Sequence, residues 1–145
     1  MKAISKSLFL LLVSGLLFTS CKKEDPTLDE LILGKWQASQ FSSDGDDTIE
    51  ETDDYKVEVY LEFQQDLDVK ISLVQIDKAS NATVTLPIFG TYTVANDGDF
   101  TMQLNLEDEI ENLVGSVEIK DNVLTINGNL QLEQSVLNVV ATKVE

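Results

Sequence analysis

Apolar and polar residues alternate strictly through most of this chain, and that restricts the fold more than any other feature. Val57, Val59, Leu61 and Phe63 alternate with Lys56, Glu58, Tyr60 and Glu62. Leu67, Val69, Ile71 and Leu73 alternate with Asp68, Lys70 and Ser72, and Phe100, Met102, Leu104 and Leu106 with Thr101, Gln103 and Asn105. Leu137, Val139 and Ala141 do the same against Asn138 and Thr142. Successive side chains of a strand point to opposite faces, so this period puts one face of an antiparallel sheet in a core and the other in water. Shorter strands are expected at Thr83–Leu86, Gly90–Ala95, Gly115–Lys120, Val123–Asn127 and Leu130–Glu133.

The breaks are turn chemistry. Asn96-Asp97-Gly98-Asp99, Asn127-Gly128 and Lys120-Asp121-Asn122 supply residues that tolerate positive φ. Pro87 suits a strand end or a sheet edge. Short hairpins in series give an up-and-down meander of about eight to ten strands, and closing it into a barrel removes the exposed edges. A two-sheet sandwich would show the same alternation. Ahead of the strands, Thr27–Gly34 reads as one helical turn: Thr27 and Glu30 have capping-box spacing and Gly34 is a stop.

Residues 1–20 read as an address. Lys2 and Lys6 precede an apolar run from Leu8 to Phe18. The run is shorter than the roughly 20 apolar residues of a spanning helix and matches the core of a signal peptide. It ends in Phe18-Thr19-Ser20-Cys21, which resembles a lipobox, so cleavage before Cys21 and acylation of its thiol are expected. Residues 21–27 then form a lipidated cysteine and a polar tether. Stretched out, the tether reaches about 20 Å, so the domain at 28–145 sits close to a membrane. Lys23-Glu24-Asp25 resembles the surface-export signal of lipoproteins in a Gram-negative group. That implies an outer-membrane lipoprotein, on the cell surface rather than the periplasmic face. Asp47-Thr48-Ile49 resembles an O-glycosylation motif of the same group and implies an exposed loop.

Gly34-Lys35-Trp36, behind a helical turn and ahead of an all-β run, resembles the Gly-x-Trp opening of lipocalins. The stretches from Phe89 to Val94 and from Val117 to Gly128 are similar to the second half of small lipocalin-like bacterial lipoproteins. The resemblance implies an up-and-down antiparallel β-barrel. Lipocalins place an arginine over the tryptophan. This chain has no arginine, and Lys143 is the cation available for Trp36.

Composition narrows the function. The formal charge is −16, and loss of the two lysines of residues 1–20 takes it to −18. Such a chain repels nucleic-acid phosphates and anionic head groups. Without histidine, and with its one cysteine used for lipid, it lacks the common general base, a thiol nucleophile and His/Cys metal sites. A binding protein without cofactors is expected rather than an enzyme. Asp44, Asp46 and Asp47, in an acidic loop at the barrel mouth, are weak candidates for a cation, though Ile49 and Tyr55 break EF-hand spacing. The inward sets are almost wholly aliphatic and aromatic, so the expected ligand is small and apolar. Trp36, Val59, Leu61, Phe63, Ile71, Phe89, Tyr92, Phe100 and Met102 are the candidate contacts. The alternative is a barrel filled by its own side chains, serving as an interaction module for a protein or glycan or as part of an uptake complex.

Replacing Cys21→Ser is expected to abolish incorporation of labelled palmitate and release the protein from the membrane fraction. Label retained in the variant would put the lipid elsewhere.

Overall fold

The computed structural model describes residues 25–144. The expected signal peptide, Cys21 and the first part of the tether lie outside the described residues.

A short helix, α1 (Leu28–Ile32), precedes nine strands. These are β1 (Gly34–Ser43), β2 (Asp46–Asp47), β3 (Tyr55–Phe63), β4 (Asp68–Asp77), β5 (Thr83–Val94), β6 (Asp99–Leu106), β7 (Glu109–Lys120), β8 (Val123–Leu130) and β9 (Ser135–Lys143). β2 is a two-residue ladder folded back on the end of β1. The other eight pair in chain order, all antiparallel, and β1 pairs with β9. That pairing closes the sheet and decides for a barrel over a sandwich. The closing ladder runs from Trp36↔Lys143 to Ser43↔Leu137, with a bulge between Ala38 and Gln40. The extra residue bends β1 around the barrel wall.

The alternating positions meet inside. Val59, Leu61, Ile71, Leu113, Leu124, Ile126, Val139 and Ala141 are buried. Each large aliphatic side chain so placed contributes about 1.5–3 kcal/mol. α1 and the turns at residues 64–67, 95–98 and 121–122 lie at one end, here the closed end. There Glu30 Oε2 accepts from the Thr27 amide at 3.1 Å, and the helix stops before Gly34, whose φ of 110° suits glycine. Trp36 Nε1 donates to the Ile32 carbonyl at 2.7 Å. Lys143 Nζ sits 5.2 Å from the centre of the Trp36 ring and donates to the Leu31 carbonyl at 3.3 Å.

Four local expectations are corrected. Leu67 is not part of the alternation: it sits in the β3–β4 turn with φ 67° and is exposed. The strands expected at Thr83–Leu86 and Gly90–Ala95 are one continuous β5 that passes through Pro87. Asn127-Gly128 lies inside β8, paired with Ser116 and Gly115, and the two strands approach so closely at the Gly115–Gly128 pair that neither glycine has room for a Cβ. Of the strand expected at Leu130–Glu133 only Leu130 lies in a strand, at the end of β8, and residues 131–134 form the β8–β9 turn. A Cβ on Gly115 would lie 2.0 Å from the Asn127 carbonyl oxygen. Gly115→Ala is therefore expected to lower stability by about 1–3 kcal/mol in urea unfolding; a variant as stable as the parent would show that the two strands can separate at no cost.

Candidate functional site

Eight of the nine expected contacts point into the barrel. Trp36, Val59, Leu61, Phe63, Ile71, Tyr92, Phe100 and Met102 all belong to the buried core. At the closed end Phe63 packs edge-on against Tyr92, with ring centres 4.9 Å apart, and against Phe100 at 6.3 Å. The Tyr92 hydroxyl donates to the Gln64 carbonyl at 3.0 Å. Burial, followed by the nearby Asp29 and Asp66 carboxylates, pushes the Tyr92 phenol above its ordinary value. This half of the barrel is packed by its own side chains.

Phe89 is the exception. Gly90 and Tyr92 face inward, so the intervening parity sends Phe89 outward, where it is 56% exposed. Its ring lies 5.9 Å from Lys70 Nζ and borders an outer cleft of about 320 Å³ shared with Asn105. A larger outer cleft, about 450 Å³, crosses β5–β7 and is lined by Thr91, Thr93, Thr101, Gln103 and Asn112 among others.

The other end of the barrel is different. Here lie the β1–β3 connection, the β4–β5 turn, the β6–β7 turn and the β8–β9 turn. On the inner face of β4 and β5 the cross-strand pairs run Ile71↔Ile88, Leu73↔Leu86 and Gln75↔Val84. Ile71 is buried, whereas Leu86 is 59% and Val84 69% exposed. The inner face of this hairpin thus continues past the core and emerges into solvent as an apolar strip. It is uncovered because β5 and β6 part company. Their ladder extends only from Val94↔Phe100 to Phe89↔Asn105. Beyond it, Thr83–Ile88 have β4 on one side and, among the described residues, no strand on the other.

Pro87 lies on the side of β5 that this gap exposes. Tyr92 donates its amide toward β4, to the Leu67 carbonyl at 2.9 Å, whereas Ala95 donates toward β6, to the Asp99 carbonyl. Even-numbered amides of β5 therefore serve β4 and odd-numbered positions serve β6. Pro87 is odd, and it has no N–H to give. β6 ends at Leu106, one residue past the last pair, and the chain turns into β7 at residues 107–108, so among the described residues Pro87 faces no strand on that side and offers it no donor.

Acidic groups surround this open end. The candidates Asp44, Asp46 and Asp47 do not form a metal site, since no group of three or more potential ligands converges among the described residues. Asp44 Oδ1 instead accepts from the Val136 amide at 2.8 Å, and Asp47 Oδ1 from the Phe41 and Ile49 amides at 3.2 and 3.0 Å. These carboxylates shape the loops. Glu111, which sequence reasoning missed, is buried on the inner side of β7. It accepts from the amides of Asn112 and Leu132 at 2.9 Å and of Glu133 at 3.2 Å, tying the β8–β9 turn to the barrel. Leu73, Leu86, Ile88 and Leu106 were also missed as a site. The signal was present: Val84, Leu86, Ile88, Gly90 and Tyr92 hold one parity straight through Pro87.

A family model for the lipocalin-like domain matches residues 32–126. The chain belongs to the lipocalin-like domain family. No curated protein matches it in sequence. Among solved structures it is similar to a point mutant of the fluorescent protein UnaG, at 9% identity and a TM-score of 0.39, covering 80% of this chain and 98% of that one. It is also similar to a fatty acid binding protein of Schistosoma mansoni in complex with arachidonic acid, at 12% identity and a TM-score of 0.37, covering 79% and 97%. In this lipocalin-like chain the family's barrel carries a sealed, aromatic closed end and a split, apolar open end.

The phenols give a pH readout. Tyr55 and Tyr60 are also raised, chiefly by donating to Glu50 and Glu58 respectively. A phenol whose folded pKa lies above its unfolded value keeps its proton longer when folded, so the unfolded chain holds fewer protons in that range. Stability is full below the ordinary tyrosine value of about 10 and falls as pH rises through it. Spectrophotometric titration should show all three phenols ionising above the free-tyrosine value, with urea midpoints declining over the same alkaline range; midpoints flat across it would contradict the assignment.

Proposed function

We propose that this protein is a membrane-anchored, lipocalin-like lipoprotein that binds a small apolar ligand at the open end of its barrel. The inner-face strip on which Leu73 and Ile88 are half-buried and Val84 and Leu86 are exposed carries this reading. Apolar side chains on the inner face of a barrel are normally covered, and an uncovered concave strip beside a gap is a place where an apolar molecule gains by leaving water. The ligand rests on the strip and meets Leu106 across the gap, while the packed closed end below limits how deep it can go. No covalent step is required of the protein. The lipobox-like run ending in Cys21 and the short tether support an anchor in the outer membrane, and Lys23-Glu24-Asp25 supports exposure at the cell surface.

A second reading has its own support. The closed half, filled by Trp36, Phe63, Tyr92 and Phe100, favours a solid barrel used as a docking module for a protein or glycan. The two readings separate at Leu86. Because Leu86 is more than half exposed, Leu86→Asn leaves folding nearly intact. It is expected to weaken binding of a neutral, environment-sensitive fluorescent probe several-fold, while Val114→Asn on the outer face does not. Equal binding by both variants and the parent would remove the open-end site and favour the docking module.

A further inference from the structure

We propose that the outer wall of β5, β6 and β7 is a binding site for a neutral glycan, with sugar hydroxyls on the carboxamides of Gln103 and Asn112 and a sugar face against the exposed ring of Phe89. The site is separate from the open end. It stands whether the barrel interior takes an apolar ligand or is filled by its own side chains.

The placement follows from register. Thr91 pairs with Gln103 and Gln103 with Asn112, whose carbonyl accepts from the Gln131 amide at 2.9 Å. The alternate residues Tyr92, Met102 and Leu113 are buried in the core, so this row faces outward. From Thr91 to Gln131 it spans about 14 Å, three steps of roughly 4.8 Å. Two residues nearer the closed end, Thr93, Thr101 and Val114 form a second outward row. A cleft of about 450 Å³ lies over the two rows. Threonine side chains are short, so its floor reaches the strand backbone at Tyr92, Met102 and Leu113. Among the described residues that line it there is no Asp, Glu or Lys. That is a marked local departure in a chain whose formal charge is −16.

The polar atoms of the cleft are held in place before any ligand arrives. Gln103 Nε2 donates to Asn112 Oδ1 at 3.2 Å, and the hydroxyls of Thr93 and Thr101 lie 2.7 Å apart. Fixing these side chains in advance lowers the ordering cost of binding. The Gln103–Asn112 bond still leaves Gln103 Oε1 to accept and the Asn112 amide nitrogen to donate. The next row toward the open end begins with Phe89↔Asn105, which adds a third carboxamide and a ring that is 56% exposed. That pair lines a second cleft, of about 320 Å³, which shares Thr91 with the first. Lys70, on the β4 side of the ring, stands in this second cleft together with Asp68.

A sugar ring carries hydroxyls that both donate and accept at its rim, and C–H groups on its face. Carboxamides that do both, beside an exposed aromatic ring, complement it on each count. An anion is repelled by the charge of the whole molecule, and a cation meets no carboxylate in the larger cleft. A protein partner calls for an apolar centre to its footprint. Here the centre is amide and hydroxyl, and Phe89, Ile110 and Val114 stand at the margins. A second copy of the chain would bring the same excess of negative charge with it.

The test screens the full chain carrying Cys21→Ser against neutral oligosaccharides of glucose, galactose, mannose and xylose, with oligogalacturonate and chitosan oligomers as anionic and cationic controls. Binders are then titrated calorimetrically. At least one neutral oligosaccharide is expected to bind, with an affinity that stays the same between about 10 mM and about 1 M salt. Gln103→Ala together with Asn112→Ala should weaken it about tenfold or more, and Phe89→Ala several-fold. Leu86→Asn, at the open end, should leave it unchanged. Gln103→Glu keeps the shape of the side chain and removes its donor to Asn112, and should weaken binding in the same way. Urea midpoints close to that of the parent show that the variants are folded. No binding by any neutral oligosaccharide overturns the inference, as does tighter binding by either charged control or binding that survives the loss of Gln103 and Asn112. Loss of glycan binding in Leu86→Asn would move the glycan to the open end and also overturns it. A dimer in sedimentation that the double replacement dissociates would give this face to a second copy, with the same consequence.

Discussion

Closure of the sheet through the β1–β9 ladder is the constraint on which the rest of this molecule depends. Two strands at opposite ends of the domain must meet in one register, and the ladder from Trp36↔Lys143 to Ser43↔Leu137 sets it. A slip of one residue would turn every inward side chain of one strand to water. The same register carries Lys143 over the Trp36 ring and within reach of the Leu31 carbonyl, while Trp36 holds the Ile32 carbonyl. The helix, the first strand and the last strand are thus pinned at one point, and the aromatic cluster of Phe63, Tyr92 and Phe100 fills the space beside it. A lysine serves here in place of the arginine usual in lipocalins. It keeps the charge over the ring but gives up the planar fork of donors, and the single hydrogen bond to Leu31 is what its ammonium makes instead.

Against this sealed end, the opening at the other is a local failure of pairing. The ladder follows β6 almost to its end, at Phe89↔Asn105, and β5 runs on past it, because β6 turns into β7 after Leu106. Pro87 sits on the side of β5 that the gap exposes and has no proton to donate. The free edge from Thr83 to Ile88 would invite another strand, and a proline on an edge is also a common way of discouraging that. The length of β5 beyond β6 leaves the gap, and the proline discourages foreign strands from entering it. Val84 and Leu86 stay uncovered as a result, which is unusual enough for inner-face apolar side chains of this size to be the basis of the functional reading.

Electrostatics then divides the molecule. The charge of −18 expected after processing is not spread evenly, because the long β1–β3 connection and the β6–β7 turn concentrate carboxylates around the open end. Several are occupied by the backbone: Asp44 and Asp47 brace the loop and Glu111 fastens the β8–β9 turn from inside. Those oxygens are consumed by structure. The carboxylates of Glu107, Asp108 and Glu109 project from a tight turn beside the gap.

Much of this was written in the sequence, because a period of two is a local property and needs no knowledge of neighbours. Alternation around Val59, Leu61, Ile71, Phe100 and Met102 identified strands and named core residues that the structure places together, and Gly34-Lys35-Trp36 pointed to the family. Local reasoning failed where a neighbour decides. Asn127-Gly128 has the chemistry of a turn, but the close approach of β7 gives those residues a place inside a strand. Phe89 looks like an inward aromatic until the parity of Gly90 and Tyr92 is fixed by burial. Pro87 looked like an interruption, and only the pairing pattern shows that its missing donor is charged to one side of β5 alone. The sequence by itself determined the strands, their faces and the sign of the charge. The tertiary structure decided closure, the gap and the apolar strip beside it, because each depends on hydrogen-bond partners that lie far away in the chain.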